Sequence, residues 1–338
     1  MKFKENIPLA HFSSFKIGGP ARYFFETVNP DEVVQAVGEW KNVAGAEFRK
    51  RLFILGGGTN LLISDNGFDG FVLQPKILLL ERDGNKISAG AGVLMADLLK
   101  FTVRENLSGL EWAGGLPGTF GGAVRGNAGA FCGEIKDIIE SVRTINITTL
   151  KEKVWENKDC KFAFRSSVFK ERMGEEIIIG ATFILHKGDP KEIQAALQEK
   201  IDYRNARHPM EYPNIGSIFK NVPAEQFYSL GAASDGSREL KRAQNYAEAV
   251  KAFTINWRGR VIPVKNDPFP IIPTAYLISE VGLKGVSIGG AMISPKHANF
   301  IVNALDAKAE DVCALIELEK QEVKKEFGVD LEQEVQSV

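Results

Sequence analysis

The feature that most constrains this chain is a glycine-rich stretch from Trp112 to Glu134, which reads WAGGLPGTFGGAVRGNAGAFCGE. Glycine reaches positive φ at little cost and lets the backbone approach a ligand closely. A stretch this dense in glycine indicates a backbone that itself binds a ligand, with free N–H groups around an anion such as a pyrophosphate. The alternative is a run of turns in a β-rich domain. The glycines are Gly114, Gly115, Gly118, Gly121, Gly122, Gly126, Gly129 and Gly133.

A second glycine loop follows a short apolar strand. The residues Phe53-Ile54-Leu55 lead directly into the loop GGGTN at 56–60. The dinucleotide fingerprint G-x-G-x-x-G would need a glycine at position 61, where Leu61 stands. The P-loop pattern G-x-x-x-x-G-K-[ST] does not occur in the sequence. A nucleotide site in this loop would therefore be neither a Rossmann site nor a P-loop.

Composition narrows the classes of function. A length of 338 residues predicts two or three domains. The 42 Lys and Arg residues nearly balance the 43 Asp and Glu residues, so charge gives no argument for a nucleic-acid partner. No apolar run is long enough to insert into a membrane, and the start MKFKENIPLA lacks the apolar core of a signal peptide. With three widely spaced cysteines, we expect a cytoplasmic protein without a disulfide framework.

Local patterns predict the order of helices and strands. Asn29 followed by Pro30 marks a helix start, and Asp189 followed by Pro190 marks another. We place a domain division near residue 188, before the second of these helices. The polar stretch 223–250 is predicted to be a helical or loop insertion on the surface. A last helix is predicted from about Lys308 to Phe327.

Metal and hydrolase signatures are weak. The four histidines share no ligand spacing, so we predict no metal site, and no G-x-S-x-G elbow occurs. Cys132 could be reactive beside the glycine-rich stretch, but a small buried thiol is the favoured interpretation.

Three other segments have residues suited to polar chemistry. Arg165 follows two phenylalanines and is suited to bidentate binding of a carboxylate, or is simply a surface arginine. Ser217 follows Gly216, so its hydroxyl is either held on a tight turn for chemistry or only caps the chain. The segment LEQEV alternates like a terminal strand, which would put Glu332 and Glu334 on one face. Terminal carboxylates are usually just solvated.

Together, these segments resemble the UDP-N-acetylenolpyruvoylglucosamine reductase family, the flavoenzymes of peptidoglycan precursor synthesis. The matching pieces follow the family's order and cover nearly the whole chain. They are SSFKIGGPA, LGGGTNLLISD, GLEWAGGLPGTFGGAVRGNAGAF, FAFRSSVFK, NIGSIFKN, GLKG, IGGAMISPKHANFIVN and FGVDLEQEV.

The resemblance implies an α+β fold with an FAD-binding domain of the vanillyl-alcohol-oxidase type at 1–187, in lobes of about 1–75 and 76–187. A substrate-binding α+β domain at 188–338 would follow. By the family's pattern, the FAD diphosphate is expected against Gly56, Gly57, Gly58, Thr59, Asn60 and Leu61. The flavin and its ribityl chain are expected against Pro117, Gly118, Thr119, Gly121, Gly122, Asn127 and Ala128.

The implied reaction has two halves. NADPH reduces the FAD, and the reduced flavin then gives hydride to the enolpyruvyl double bond of UDP-N-acetylglucosamine enolpyruvate. Arg165 would polarise the carboxylate, Ser217 would supply the proton, and Glu334 would assist Arg165 as a neutral acid with a raised pKa in the complex. Substrate phosphates or carboxylate would contact Arg204, Arg207, Lys220, Lys284 and His297.

The chain departs from the family's pattern at residues 223 to about 268, which intervene before the next helix. The short spacing from Arg165 to Ser217 resembles the subtype without an extra substrate-capping loop, whose function the insertion could replace. We expect a monomer or weak oligomer.

Two alternative functions stay open at this point. One is another FAD-linked oxidoreductase of the same fold, such as an alcohol or sugar-acid oxidase. The other is a non-catalytic regulator that binds flavin or a nucleotide sugar.

Overall fold

The computed structural model describes residues 1–172, 174–230, 233–234 and 253–338. Their helices and strands form two lobes in the N-terminal part and a third unit in the C-terminal part. Most of the polar stretch 223–250, namely 231–232 and 235–250, lies outside the described residues. Within the described ranges, no helix is both long enough and apolar enough to cross a membrane.

The first lobe is a four-stranded sheet with one long helix packed against it. Its elements are β1 (Lys4–Pro8), β2 (Pro20–Thr27), α1 (Pro30–Ala44), β3 (Leu52–Ile54), β4 (Leu61–Leu62) and β5 (Phe68–Pro75). The sheet order is β1-β2-β5-β3, with β2 and β3 both parallel to β5. Helix α1 begins where the sequence predicts, because Asn29 Oδ1 accepts a hydrogen bond from Glu32 N at 2.9 Å. Its buried face packs Val37 and Trp40 into the same core as Phe71.

The second lobe is built on a five-stranded antiparallel sheet. Its elements are β6 (Leu80–Asp83), β7 (Lys86–Gly90), α2 (Met95–Arg104), β8 (Leu107–Ser108), α3 (Phe120–Gly126), β9 (Gly129–Ala130), β10 (Gly133–Glu134), β11 (Ile139–Asn146), β12 (Glu152–Glu156), α4 (Val168–Glu171), β13 (Glu176–Ile184), β14 (His186–Lys187) and α5 (Pro190–Arg207). The sheet order is β12-β11-β13-β7-β6. Strands β11 and β12 form an antiparallel hairpin, with Val142 opposite Trp155.

Helix α5 shares its core with the second lobe. Asp189 caps its start by accepting a hydrogen bond from Lys191 N at 2.7 Å. Ile193 and Leu197 on its buried face belong to the hydrophobic cluster of the second lobe. Since this packing continues past residue 188, we propose that the domain boundary follows α5, near residue 208.

The C-terminal unit contains two sheets and a long helix. Its elements are β15 (Val222–Pro223), α6 (Ala224–Ser229), β16 (Ala233–Ser234), β17 (Phe253–Trp257), β18 (Arg260–Asn266), β19 (Pro270–Ile272), α7 (Thr274–Glu280), β20 (Ser287–Ile288), β21 (Ala291–Ile293), β22 (Ile301–Asn303), α8 (Ala309–Phe327) and β23 (Gln336–Ser337). One sheet has the order β15-β19-β18-β17-β16 and the other β20-β21-β22. Helix α8 matches the helix predicted from about Lys308 to Phe327, and it buries Val312, Leu315 and Val323.

The described part of the predicted insertion belongs to the core of this unit. Ile255, Trp257 and Ile262, on strands β17 and β18, are each at most 2% exposed. Phe227 on α6 is equally buried, and its ring lies 5.8 Å from that of Trp257. Strands β17 and β18 lie beyond the stretch 223–250 that was predicted to lie on the surface. Within that stretch, the buried Phe227 shows that α6 packs into the core of the unit and is not a surface addition.

The C-terminal tail crosses back to the first lobe. Strand β23 pairs in parallel with β4, and Gln336 N donates to Asn60 O at 3.1 Å. The alternating segment 331–335 is not a strand, because only Gln333 makes a ladder contact there, an isolated bridge to Phe219. Glu332 extends into solvent, with 70% of its side chain exposed, whereas the Glu334 side chain is 23% exposed. The two carboxylates therefore do not share one environment, as the strand interpretation assumed.

Candidate active site

One cavity of about 1220 Å³ is lined by both N-terminal lobes and by the C-terminal unit. Small-molecule sites typically enclose about 300–1,000 Å³. This cavity therefore has room for a large cofactor together with a second ligand.

Both glycine loops line the cavity and meet each other there. A Cβ on Gly57 would lie 2.7 Å from Gly118 Cα, which is closer than packed carbon atoms approach. Gly118 itself has φ +100°, in the region that favours glycine. The predicted cofactor residues that line the cavity are Gly56, Gly57, Gly58, Thr59, Asn60, Leu61, Pro117, Gly118, Thr119, Gly121, Gly122 and Ala128.

Asn127 is the one predicted cofactor residue that does not line the cavity. It is completely buried, and its side-chain amide donates to Ala163 O at 2.9 Å and accepts from Lys136 N at 3.0 Å. Its φ of +44° ends helix α3 in the left-handed region. Asn127 therefore acts on the backbone, and it holds the segment that leads to Arg165.

The cradle fits FAD. Gly126 lines the cavity, and a Cβ added there would meet no protein atom within 4 Å, so the space in front of it is open. Gln74 Nε2 donates to Gly56 O at 3.1 Å and so fixes the facing loop. Bare backbone on two opposed loops is the surface that a diphosphate and an extended ring system require.

Arg165 is held by three neighbours at the wall of the cavity. Its Nη2 donates to Gly129 O at 2.6 Å, and its Nε lies 3.2 Å from Glu334 Oε1. The guanidinium carbon lies 4.9 Å from the centre of the Phe164 ring, which favours a cation in that position. Arg165 adopts φ +54°, a strained conformation for a non-glycine residue that is often found at functional sites.

Glu334 is positioned by main-chain contacts from two sides. Its N donates to Ile218 O at 2.8 Å, and its carbonyl accepts from Asn60 Nδ2 at 3.1 Å. The first contact leads to the Ser217 segment, and the second leads to the glycine loop of the first lobe. Burial raises the pKa of the Glu334 carboxyl, although Arg165, Lys170 and Lys220 oppose that shift.

Ser217 lines the same cavity as Arg165 and Glu334. Gly216 before it has φ +83°, and Asn214 Oδ1 accepts a hydrogen bond from Gly216 N at 3.1 Å. On the other side, Ile218 N donates to Asn299 O at 2.8 Å. The Ser217 hydroxyl makes no hydrogen bond within the part of the chain that the structure describes, so it is available to a ligand.

Of the five residues predicted to contact the substrate, only Arg204 lines the cavity. Arg204 lines the cavity, and its Nε donates to Gly114 O at 2.8 Å while Nη2 is buried without a partner. The other four do not line it. Arg207 is exposed over the ring of Tyr203, and Lys284 is exposed. Lys220 Nζ lies 2.5 Å from Glu332 Oε1, and His297 packs against Phe300 with a ring separation of 4.8 Å.

Several cavity residues were not predicted. Lys170 Nζ donates to Arg165 O at 2.9 Å, and burial lowers its pKa. His208 lines the cavity beside His297, and burial together with the neighbouring His297 lowers its pKa to about 4. Arg125 also lines the cavity. The position of His208 could have been predicted from the sequence, because it follows Arg204 by four residues and therefore lies on the same helix face.

Cys132 is exposed, so the interpretation as a small buried thiol is wrong. Its N donates to Asp267 Oδ1 at 3.0 Å. Partial burial and the Asp267 carboxylate raise the pKa of its thiol to about 11, so it stays protonated at neutral pH. Among the described residues, no three His, Cys, Asp or Glu side chains are grouped as metal ligands would be.

Comparisons with known proteins agree with this arrangement. A sequence profile for an FAD binding domain matches residues 23–149. A profile for the UDP-N-acetylenolpyruvoylglucosamine reductase C-terminal domain matches residues 208–338. The chain is 32% identical over 331 residues to UDP-N-acetylenolpyruvoylglucosamine reductase of Solibacter usitatus, covering 98% of this chain and 95% of that protein. For the enzyme of the same name from Carboxydothermus hydrogenoformans, the identity is 35% over 334 residues, with coverages of 98% and 92%.

Among solved structures, UDP-N-acetylenolpyruvylglucosamine reductase from Thermus caldophilus superimposes with a TM-score of 0.72 at 26% identity. The match covers 100% of this chain and 99% of that chain. The predicted fold class, a two-lobed FAD-binding domain of the vanillyl-alcohol-oxidase type followed by an α+β domain, is confirmed. The chain therefore belongs to the UDP-N-acetylenolpyruvoylglucosamine reductase family.

Proposed function

We propose that this chain uses NADPH to reduce the enolpyruvyl group of UDP-N-acetylglucosamine enolpyruvate, a step of peptidoglycan precursor synthesis in the cytoplasm. The named relatives support the substrate, since they carry the reductase name over nearly their whole length. The observation that carries the proposal is the pairing of Arg165 with Glu334 at 3.2 Å in a cavity that Ser217 and both glycine loops also line.

The loops around Gly57 and Gly118 would hold FAD, and bound FAD would supply hydride transfer from NADPH to the vinyl carbon of the substrate. Arg165 would meet the negative charge that develops on the substrate carboxylate. A fixed cation contributes most where charge grows in a site shielded from water. Glu334 would remain neutral next to that charge, consistent with the burial that raises its pKa.

Ser217 would deliver the proton to the carbon beside the carboxylate. A serine hydroxyl is a weak acid in water, so the site must stabilise its conjugate base. Arg165, Lys170 and Arg204 supply positive charge around the same cavity. The turn at Gly216 leaves the hydroxyl without a competing protein partner in the described chain.

Arg204 would bind an anionic group of the substrate. Burial lowers its pKa, and its Nη2 has no partner, so a ligand oxygen would satisfy a buried donor. The roles first expected for Arg207, Lys220, Lys284 and His297 would have to be indirect, because those residues do not line the cavity.

The predicted insertion would close the cavity in place of a capping loop. The turn between β18 and β19 contacts the second lobe twice, through Asp267 with Cys132 and through Phe269, whose ring lies 5.1 Å from that of Phe164. Phe164 precedes Arg165, so this contact would also steady the guanidinium.

The decisive experiment measures flavin absorbance in the absence of oxygen. The FAD bound to the protein is first reduced, and so bleached, with one equivalent of NADPH. UDP-N-acetylglucosamine enolpyruvate is then added. Return of the oxidised flavin absorbance with formation of UDP-N-acetylmuramate is expected. UDP-N-acetylglucosamine, which lacks the enolpyruvyl group, is the control and should leave the flavin bleached. Reoxidation only on admission of oxygen would favour an oxidase of the same fold instead. No bleaching by NADPH would point to a binding protein.

A further inference from the structure

Arg125 lies in the wall of the cavity, but it has no role in the reaction proposed above. It lies on α3 and lines the cavity together with Gly122 and Gly126. Its guanidinium makes no ion pair and no hydrogen bond with any residue that the structure describes. Arg165 and Arg204, on the same cavity, both bind protein carbonyl groups.

An unpaired, partly buried guanidinium is costly. Arginine stays protonated at any ordinary pH, and a charge removed from water requires a counter-charge or hydrogen-bond acceptors. Burial lowers the pKa of Arg125, and no neighbouring carboxylate opposes the shift. An anionic group of a ligand in the cavity would supply this counter-charge.

The position of Arg125 narrows the choice of ligand group. Its carbonyl accepts a hydrogen bond from Ser167 Oγ at 2.6 Å, two residues after Arg165. It also lies close enough to Lys170 to lower the pKa of that amine. Arg125 therefore lies where the cofactor cradle meets the Arg165 segment, and the proposed reaction would bring the isoalloxazine of the flavin to this position.

The FAD diphosphate is a poorer candidate for this counter-charge. Its expected loop, 56–61, packs against the start of α3, where a Cβ on Gly56 would lie 3.1 Å from Thr119 Oγ1. Arg125 is six residues further along that helix, which corresponds to roughly 9 Å at 1.5 Å per residue. The substrate carboxylate already has Arg165 as its partner in the proposed reaction.

We propose that the Arg125 guanidinium binds the isoalloxazine of FAD and stabilises the negative charge that this ring system gains on reduction. Arg125 then sets the reduction potential of the cofactor, since a fixed cation favours the more negative redox state. This inference rests on the proposed function only in that FAD is the electron carrier, and it is independent of the sugar substrate.

The test compares Arg125→Gln and Arg125→Lys with the wild-type holoprotein. Arg125→Gln should lower the preference for reduced over oxidised FAD about tenfold, which for a two-electron couple is a midpoint potential about 30 mV lower. It should also weaken binding of sulfite to the oxidised flavin about tenfold, because that adduct carries negative charge in the ring. Arg125→Lys should recover part of both effects.

Arg49→Gln is the matched control, because Arg49 lines the first-lobe wall of the same cavity and its removal changes the net charge equally. The reduction potential and the sulfite affinity of Arg49→Gln should match those of the wild type.

Two results for a folded, FAD-loaded Arg125→Gln protein would overturn the inference. One is an unchanged reduction potential and sulfite affinity. The other is a loss confined to FAD affinity or to the KM for either substrate. Failure of the proposed function would appear differently, as a wild-type flavin that NADPH does not bleach or that the enolpyruvyl substrate does not reoxidise.

Discussion

Arg165 Nε lies 3.2 Å from Glu334 Oε1, and this pair joins the second lobe to the C-terminal tail. The tail reaches that position because Gln336 and Val338 pair with the first lobe, with Val338 N donating to Leu62 O at 2.9 Å. The pair therefore forms only when all three units are assembled around the cavity. Burial and Arg165 act on the Glu334 pKa in opposite directions, and burial has the larger effect.

Replacing Glu334 with glutamine should preserve much of the activity. Glutamine imitates the neutral carboxyl group, so we expect kcat within about tenfold of the wild type, whereas Glu334→Ala should lose about a hundredfold or more. In the wild type, the neutral fraction falls as pH rises through the raised pKa, so kcat/KM should fall on the alkaline side. Glu334→Gln should lack that alkaline decline. Glu332→Gln, on the exposed neighbour, is the control and should keep it. A Gln variant as inactive as the Ala variant would contradict the neutral role.

Replacing Ser217 with alanine should separate the two half-reactions. Loss of the proton donor should slow product formation by about a hundredfold to ten-thousandfold. Bleaching of FAD by NADPH should remain near the wild-type rate, because no proton from Ser217 enters that step. Stopped-flow absorbance measures both. Ser337→Ala, which removes another hydroxyl from the cavity wall, should be near wild type in both halves. Native product formation by Ser217→Ala would rule out the serine as donor.

The cofactor cradle could be predicted from the sequence because each glycine loop is local. The loops that contain Gly57 and Gly118 are contiguous, and their lack of side chains is visible in the sequence itself. Arg165, Ser217 and Glu334 come from three distant segments, and only the family resemblance joined them in advance. Their convergence depends on the parallel pairing of Gln336 with Leu61, which no local pattern encodes.

The substrate-facing cations were harder to predict because small rotations decide which side chains line the cavity. On α5, Arg204 faces the cavity, whereas Arg207 turns onto Tyr203, one helical turn before it. Lys220 binds Glu332, which alternation had assigned to the same face as Glu334. Lys170 and Arg125 were missed because a single cation in a short helix has no pattern that distinguishes it from a solvated one.

Replacing Gly57 with alanine should weaken FAD binding. The new Cβ would lie 2.7 Å from Gly118 Cα, so the two loops would have to separate. We expect the FAD dissociation constant to rise at least about tenfold and stability to fall by about 1–3 kcal/mol. Titration of the apoprotein with FAD measures the first. Gly38→Ala is the control, since its Cβ on α1 would meet only Leu150 Cδ1, at 3.5 Å. That change should leave FAD affinity unaltered and stabilise the helix by about 0.5–1 kcal/mol.

Replacing Glu319 with glutamine should stabilise the protein most at high pH. Glu319 lies on the buried face of α8, and neither carboxylate oxygen has a hydrogen-bond partner among the described residues. Burial raises its pKa well above the ordinary value. The folded state therefore holds this proton at pH values where the unfolded chain has released it, and stability falls as pH rises through that window.

Glu319→Gln removes this titration, so the gain over wild type should be small near pH 4 and grow to about 1–3 kcal/mol or more at alkaline pH. Urea unfolding at several pH values measures it. Glu317→Gln is the control in the same helix, where the carboxylate is exposed and paired with Lys320, and it should change the pH dependence little. A Glu319→Gln protein whose stability falls with pH as steeply as that of the wild type would show that another group is responsible for the decline.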